Sequence, residues 1–335
     1  MSVAPLCSVI VVNWNGRELL GPCLEGLQQQ RWQDFEVLLV DNASTDGSAP
    51  WVRAHFPEVR VIENVRNLGF AGGANVGLAA AQGEHLVLLN NDAYPEPDFL
   101  QALVETARED ARVGMVAGVL VFAHRPERIA SAGMRMQWDG VAIDHLAGRP
   151  RSCLPDTPVE IFGPSGGAAL YRRAMIQEIG PFRAELFAYL EDVELAWRAQ
   201  LAGWKCLLAP KAVARHVYSA TSGLASRFRS FQLARNRVIL LFLALPTGLW
   251  LRFAPFILAY DLFACAYGLL SGDREVVRGR LAALRAVPAL WRERRALQQG
   301  RRVPLREIVR LLQPPMAPWT VLHLRREIAR LAAPN

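Results

Sequence analysis

Four short polar strings interrupt the apolar first hundred residues, and each consists of groups that can hold a ligand. The first is Asn13, Trp14, Asn15 and Gly16, and the second is Asp41-Asn-Ala-Ser-Thr-Asp46. A carboxylate just past a strand can accept hydrogen bonds from a nucleobase or a ribose, and the same string also reads as an Asx turn followed by a helix cap. The third string runs from Asn67 through Gly69 and Asn75 to Gly77. It matches neither G-x-G-x-x-G nor G-x-x-x-x-G-K-[ST], yet glycines at a helix start let the backbone approach an anion. The fourth is Asn90, Asn91 and Asp92. It delivers amide and carboxylate oxygens, the donor set of a turn or of a hard cation such as Mg²⁺ that is otherwise held by substrate phosphates. Further on, Glu191 and Asp192 adjoin at a helix start, where an anion is favoured and its pKa kept low.

These strings need a frame that brings them together. Residues 8–12, 36–40, 59–62 and 85–89 are short apolar runs rich in β-branched residues, the pattern of strands buried on both faces of a parallel sheet. Helical spacing of apolar residues over 18–30, 48–55, 71–81 and 99–108 supplies the crossovers, so an open α/β sheet is expected, with ligand sites at the carboxyl ends of its strands. Residues 114–122 read as extended and 123–160 as irregular surface connections. Order is expected to return with an extended 168–171 and helices over 172–179 and 191–202, the last stopping at Gly203.

Charge divides the chain of 335 residues, whose net charge is +7. Residues 1–204 carry 16 Arg and Lys against 25 Asp and Glu, and residues 205–335 carry 22 against 6. An acidic first part argues against nucleic acid as a specific partner. Five scattered cysteines without a C-x-x-C pair, and a start without a signal pattern, predict a reducing, cytoplasmic setting. Residues 238–251 are uncharged but interrupted by Pro246, and Pro255 and Asp261 punctuate the next apolar run. The expectation is that no segment spans a membrane, which takes about 20 apolar residues. Nine arginines interleave with leucines over 274–302, as in a helix lying on an anionic membrane or packed with a solvated cationic face.

The ordered set 8–16, 40–48, 67–77, 88–97, 163–173 and 189–198 resembles the family 2 glycosyltransferases of GT-A fold, within them the bacterial rhamnosyltransferase-like branch, over roughly residues 7–220. The resemblance implies an α/β, mostly parallel sheet in a catalytic domain over 1–224, followed by a basic helical region over 225–335. It implies transfer of one sugar, with inversion, from a nucleotide-diphosphate donor to a sugar or lipid-linked acceptor, in cell-envelope polysaccharide synthesis. Asp41 would contact the base of the nucleotide. Asn13, Asn67, Gly69, Asn75, Asn90 and Asn91 would line the donor site, and Gly166 and Gly167 would approach donor or acceptor. Asp92 and His216 would hold Mg²⁺ or Mn²⁺ on the diphosphate, Asp192 would be the base, and Glu191 would position it. The sequence departs from the family's D-x-D at Asn90, leaving one carboxylate there. Q-x-x-R-W, the mark of processive synthases, occurs only at residues 28–32, far ahead of Asp192, which favours single transfer. The rival from another class is a non-catalytic membrane- or polyanion-binding protein on the same fold. A dinucleotide oxidoreductase would require G-x-G-x-x-G where Asn13 to Gly16 stands.

Overall fold

The computed structural model describes residues 5–217 and 226–333; the expected boundary at 224/225 lies outside them. The apolar runs form the strands β1 (Cys7–Asn13), β2 (Phe35–Asp41), β3 (Arg60–Glu63) and β4 (His85–Asn90). Between them lie α1 (Arg17–Gln28), α2 (Ser48–His55) and α3 (Gly69–Ala80). After β4 come β5 (Ala93–Pro95), α4 (Phe99–Ala107), β6 (Val113–Phe122), β7 (Arg125–Ser131), β8 (Met134–Gln137), β9 (Ala142–Asp144) and β10 (Val159–Ile161). The chain continues through β11 (Ala168–Arg172), α5 (Arg173–Ile179), α6 (Glu191–Ala202) and β12 (Lys205–His216).

The main sheet has the order β10-β12-β6-β11-β4-β1-β2-β3, with β5 on β12 and β7 on β6. Strands β3-β2-β1-β4 are parallel, as are β6 and β12, while β11 runs antiparallel between the two sets. Register is what gathers the polar strings. Cys7 is opposite both Phe35 and His85, so Asn13 ends level with Asp41, and Asn90 ends level with Val12. Helix α3 lies so close to this sheet that a Cβ at Gly77 would collide with Ile10, and one at Gly73 would stand 2.8 Å from Val12 and Asn42. These two glycines therefore serve helix-to-sheet packing rather than an approach to ligand.

Residues 123–160 are not mere surface connections, because β7 pairs with β6 and β8 pairs with β9. The second pair forms a small sheet with β13 (Leu312–Gln313) from the far end of the chain. The helical region consists of α7 (Ser226–Ala244), α8 (Thr247–Leu270), α9 (Glu275–Gln299), α10 (Leu305–Leu311) and α11 (Pro318–Ala332). Helices α7 and α9 pack tightly, a Cβ at Gly279 of α9 colliding with the Phe231 carbonyl of α7. The helical region returns to the sheet body: Trp138 N donates to Gln313 O at 2.9 Å, and Arg310 pairs with Glu160 at 2.8 Å.

Pro246 interrupts the apolar stretch after residue 238 as expected, falling between α7 and α8, but Pro255 and Asp261 do not break the next run: α8 is a single helix of 24 residues that passes through both. By length and composition α8 could cross a membrane, with mean hydropathy 1.6 over its most apolar window and 17% of that window buried. Its internal charge is matched, since Asp261 accepts from Arg237 at 3.1 Å and from Arg280 at 2.8 Å.

Candidate active site

The carboxyl ends of β1 and β4 open onto a cavity of about 710 Å³, closed on its other sides by the β8–β9 hairpin, the loop before α6 and the start of α7. One wall is built from amides. Asn13 is fully buried, donating to Asp41 at 3.1 Å and accepting from Asn91 at 2.8 Å, which ties the ends of three strands together. Asp41 uses its second oxygen for the Ser44 N–H at 2.9 Å. Trp14, 43% exposed, and Asn42 lie on the cavity wall just past these two residues. Asn42 in turn donates to Gly69 O at 2.9 Å, and Asn67 accepts from Gly69 N at 2.8 Å. Gly69 has φ +72 and stands against the Phe187 carbonyl, with which any Cβ would collide; only glycine meets both conditions.

Deeper in the cleft, β12 pairs with β5 so that His216 is opposite Ala93. This register sets His216 Nε2 3.0 Å from Asp92 Oδ1 and 3.4 Å from Asn90 Nδ2. Both the imidazole and the carboxylate are buried and belong to the cavity wall. Among the described residues no group of three His, Cys, Asp or Glu side chains could hold an ion. A carboxylate and an imidazole this close still fit an ion whose remaining ligands come from substrate phosphates.

The opposite wall carries the acidic pair. Asp192 accepts from Gly166 N at 2.9 Å and Val193 N at 2.8 Å, and Glu191 lies buried beside it with one carboxylate oxygen unpartnered. Burial raises the Asp192 pKa in spite of these two N–H donors, and burial together with the neighbouring Asp192 charge raises that of Glu191 well above the carboxylate range. The expectation that the helix start keeps Asp192 acidic is thus reversed: desolvation outweighs the dipole and makes Asp192 the stronger base.

The loop that presents this pair is strained. Phe187, Tyr189 and Leu190 all have positive φ, at 62°, 70° and 65°, and such conformations cost about 1–3 kcal/mol each. It is held from α7 by the fully buried Asn236, whose amide donates to Leu186 O at 2.8 Å, Ala188 O at 3.0 Å and Tyr189 O at 2.8 Å. Below it, buried Glu194 pairs with Arg198 at 2.9 Å, and Arg198 also donates to the carbonyls of residues 179–181.

Of the residues singled out from sequence, Asn67, Gly69, Asn90, Asn91, Asp92, Gly166, Gly167, Glu191, Asp192 and His216 all border this cavity. Asn13 and Asp41 stand behind its wall. Asn75 is elsewhere: its amide is taken up by the Phe182 backbone, at 2.8 and 2.9 Å. Sequence reasoning misses Asp144, which borders the cleft from β9 and which burial pushes up to about 6, as well as Phe228 and Arg229 of α7, and Asn236. A three-residue strand has no periodicity to betray it, and a single asparagine between two arginines of a helix carries no signal.

A family model for glycosyl transferase family 2 matches residues 8–180. Among curated relatives, glycosyltransferase GlyG of Streptococcus pneumoniae is 29% identical over 110 residues, 32% of this chain and 36% of its own length. An N-acetylglucosaminyl-diphospho-decaprenol L-rhamnosyltransferase of Mycobacterium tuberculosis is 26% identical over 238 residues, 64% of this chain and 77% of its own. The chain thus spans about a third of the first relative and three quarters of the second. Two solved structures share the fold. The mannosyltransferase PcManGT of Pyrobaculum calidifontis, in complex with GDP-Man and Mn²⁺, has TM-score 0.53 at 20% identity, covering 92% of this chain and 88% of that one. Residues 1–349 of TarS from S. aureus, in complex with UDP-GlcNAc, give 0.57 at 21%, covering 97% and 89%.

Proposed function

The chain belongs to glycosyl transferase family 2, and from that premise we propose that it moves a single sugar, with inversion, from a nucleoside-diphosphate donor to a hydroxyl of a lipid-linked acceptor. The reading is carried by one observation, a single cleft with a carboxylate–imidazole pair on one wall and a base of raised pKa on the other. The rhamnosyltransferase relative, named for a lipid-diphosphate acceptor, supports rhamnose as the sugar and cell-envelope polysaccharide as the product.

In this reading Trp14 and the Asn42–Gly69 wall receive the nucleotide, and Asp92 and His216 face its diphosphate. Asp92 and His216 would hold a Mg²⁺ or Mn²⁺ ion, which would supply neutralisation of the negative charge that grows on the departing diphosphate. Asp192 takes the acceptor hydroxyl proton as the new oxygen–carbon bond forms and the bond from the anomeric carbon to the diphosphate oxygen breaks. The raised pKa of Glu191 favours its neutral form beside Asp192, which leaves Asp192 as the carboxylate of the pair that carries the negative charge. Gly166 N–H and Val193 N–H fix the carboxylate's orientation.

We further propose that the protein works at the cytoplasmic face of an anionic membrane. Helix α8 turns Leu251, Leu262 and Leu270 outward, each more than 70% exposed, beside the arginines of α9. Basic residues near anionic lipid contribute about 1 kcal/mol each. Flotation with anionic vesicles at low salt should carry the protein, and a protein left with the soluble fraction under all lipid compositions would refute this part.

The test of the activity is a thermal-shift screen of nucleotide sugars with Mn²⁺ or with chelator, followed by assay of nucleoside diphosphate release. A donor that raises Tm and is turned over is expected. If no nucleotide sugar raises Tm, the assignment fails.

A further inference from the structure

The cleft continues beyond Asp192 along α7. Phe228, Arg229 and Leu233 form part of its wall, and Leu233 is at the same time on the wall of a second cavity of about 200 Å³ bounded by α7, α8, α9 and α11. This second cavity is an apolar groove, with Tyr260, Phe263 and Tyr267 of α8 on one side and Val276 and Leu322 opposite. Its polar members are engaged in part: Arg237 and Arg280 converge on Asp261, Asp273 accepts from Glu275 N and Ser271 bonds the Gly268 carbonyl, while the buried Nη1 of Arg237 has no partner among the described residues. A peptide laid in this groove would find little to satisfy its amides, a loss that a hydrocarbon chain does not suffer.

Arg229 has the opposite character. It is exposed at the cleft rim with its guanidinium 5.6 Å over the Tyr189 ring, in the loop that leads to Asp192, and no described carboxylate forms an ion pair with it. From Arg229 to Arg237, along one face of α7, is about 12 Å at 1.5 Å per residue. A cation on the wall of the cleft is thus followed, one turn on, by an apolar groove. At its outer end the groove is lined by the part-exposed Phe263 and Tyr267, next to Leu262 and Leu270, which are 72% and 89% exposed.

We propose that this groove holds the first units of the hydrocarbon chain of a lipid-diphosphate acceptor, with Arg229 taking its diphosphate and the rest of the chain leaving over α8. The inference rests on the lipid-linked acceptor of the proposed function and adds where that lipid lies. It assigns Leu233 to chain recognition and Arg229 to headgroup recognition.

The probes are farnesyl diphosphate and inorganic diphosphate, titrated calorimetrically into the full chain with the donor site saturated by Mn²⁺ and the best-binding nucleoside diphosphate. Farnesyl diphosphate is expected to bind at least tenfold tighter. Leu233→Gln should abolish that preference and leave inorganic diphosphate binding unchanged, whereas Arg229→Ala should weaken both. Leu270→Ser, outside the groove, should keep the preference. Equal affinity for the two probes overturns the inference, as does loss of the preference in Leu270→Ser to the extent seen in Leu233→Gln, which would put the chain on the outer face of α8. Donor binding by each variant, measured in separate titrations of the nucleotide, separates the outcomes. A protein that binds nucleotide sugar but ignores the chain refutes the groove alone, and one that binds no nucleotide sugar refutes the glycosyl-transfer reading.

Discussion

The two walls of the cleft are built by different means. On the donor side, position follows from strand register: β1, β2 and β4 begin level and end level, so Asn13, Asp41 and Asn90 arrive together without needing contacts from afar. On the base side, position follows from one helix reaching into a strained loop, where the Asn236 amide meets three carbonyls and holds Phe187, Tyr189 and Leu190 at positive φ. The first device is spread over many backbone hydrogen bonds and tolerates local change. The second is concentrated in a few side chains, and the chemistry of proton removal depends on them.

The largest effect that this contrast predicts lies at the base. Asp192→Asn keeps the shape of the carboxylate and removes its proton affinity, so kcat should fall by about 10²–10⁴-fold, with donor affinity from calorimetry unchanged. Near-normal turnover in a folded variant would move the base elsewhere, with Asp144 the first alternative on the same cleft.

On the donor wall the effect should fall on binding. Asp92→Ala removes the carboxylate facing His216, and since hydrogen bonds to charged groups contribute about 1.5–3 kcal/mol, nucleotide affinity in Mn²⁺ should drop by ~10–100-fold. Affinity in chelator should change far less. Equal wild-type affinity with and without chelator would exclude this role for Asp92.

Asn236→Leu tests the helical device itself. Leaving the loop carbonyls unpaired should cost about 1–3 kcal/mol of stability, read as a lower urea midpoint. Relaxation of the loop should lower kcat several-fold with donor affinity intact. A variant as unstable as expected but with kcat unchanged would make Asn236 structural only, and the contrast between the walls would lose its functional half.

The same contrast explains what can be read from sequence. Helices α2 and α6 begin and end where apolar spacing and Gly203 place them, and β1, β2 and β4 follow from their β-branched runs, because local pattern and tertiary burial agree there. The donor wall is therefore legible almost residue by residue. The base wall is legible in Gly166, Glu191 and Asp192 but not in the loop and helix that hold them, and β12 and the β8–β9 hairpin, which complete the cleft, are not legible either. Strand β12 is broken by a register shift between Leu208 and Val213, around Pro210, and reads as mixed polarity. The β8–β9 hairpin is too short for alternation and gains its third strand from residues more than 150 positions later. Helix α8 escapes sequence reading because a proline at a cap and another inside a helix are the same letter.

The smallest expected effect concerns Glu191, and its sign separates burial from function. Its folded-state pKa is raised, so the folded protein holds a proton that the unfolded chain gives up at lower pH. That contribution to stability is fully present below the ordinary carboxylate range and is lost as pH rises through the raised value. Glu191→Gln keeps the neutral shape and removes the proton requirement. Its Tm should match wild type near pH 4 and exceed it by a growing margin toward pH 8, in differential scanning calorimetry. In activity, Asp192 would lose the neighbour whose ionisation disfavours its own, and the acid limb of the pH–kcat/KM profile should move to lower pH or stay in place. Loss of that limb would mean that Glu191, not Asp192, carries the ionisation that governs the reaction.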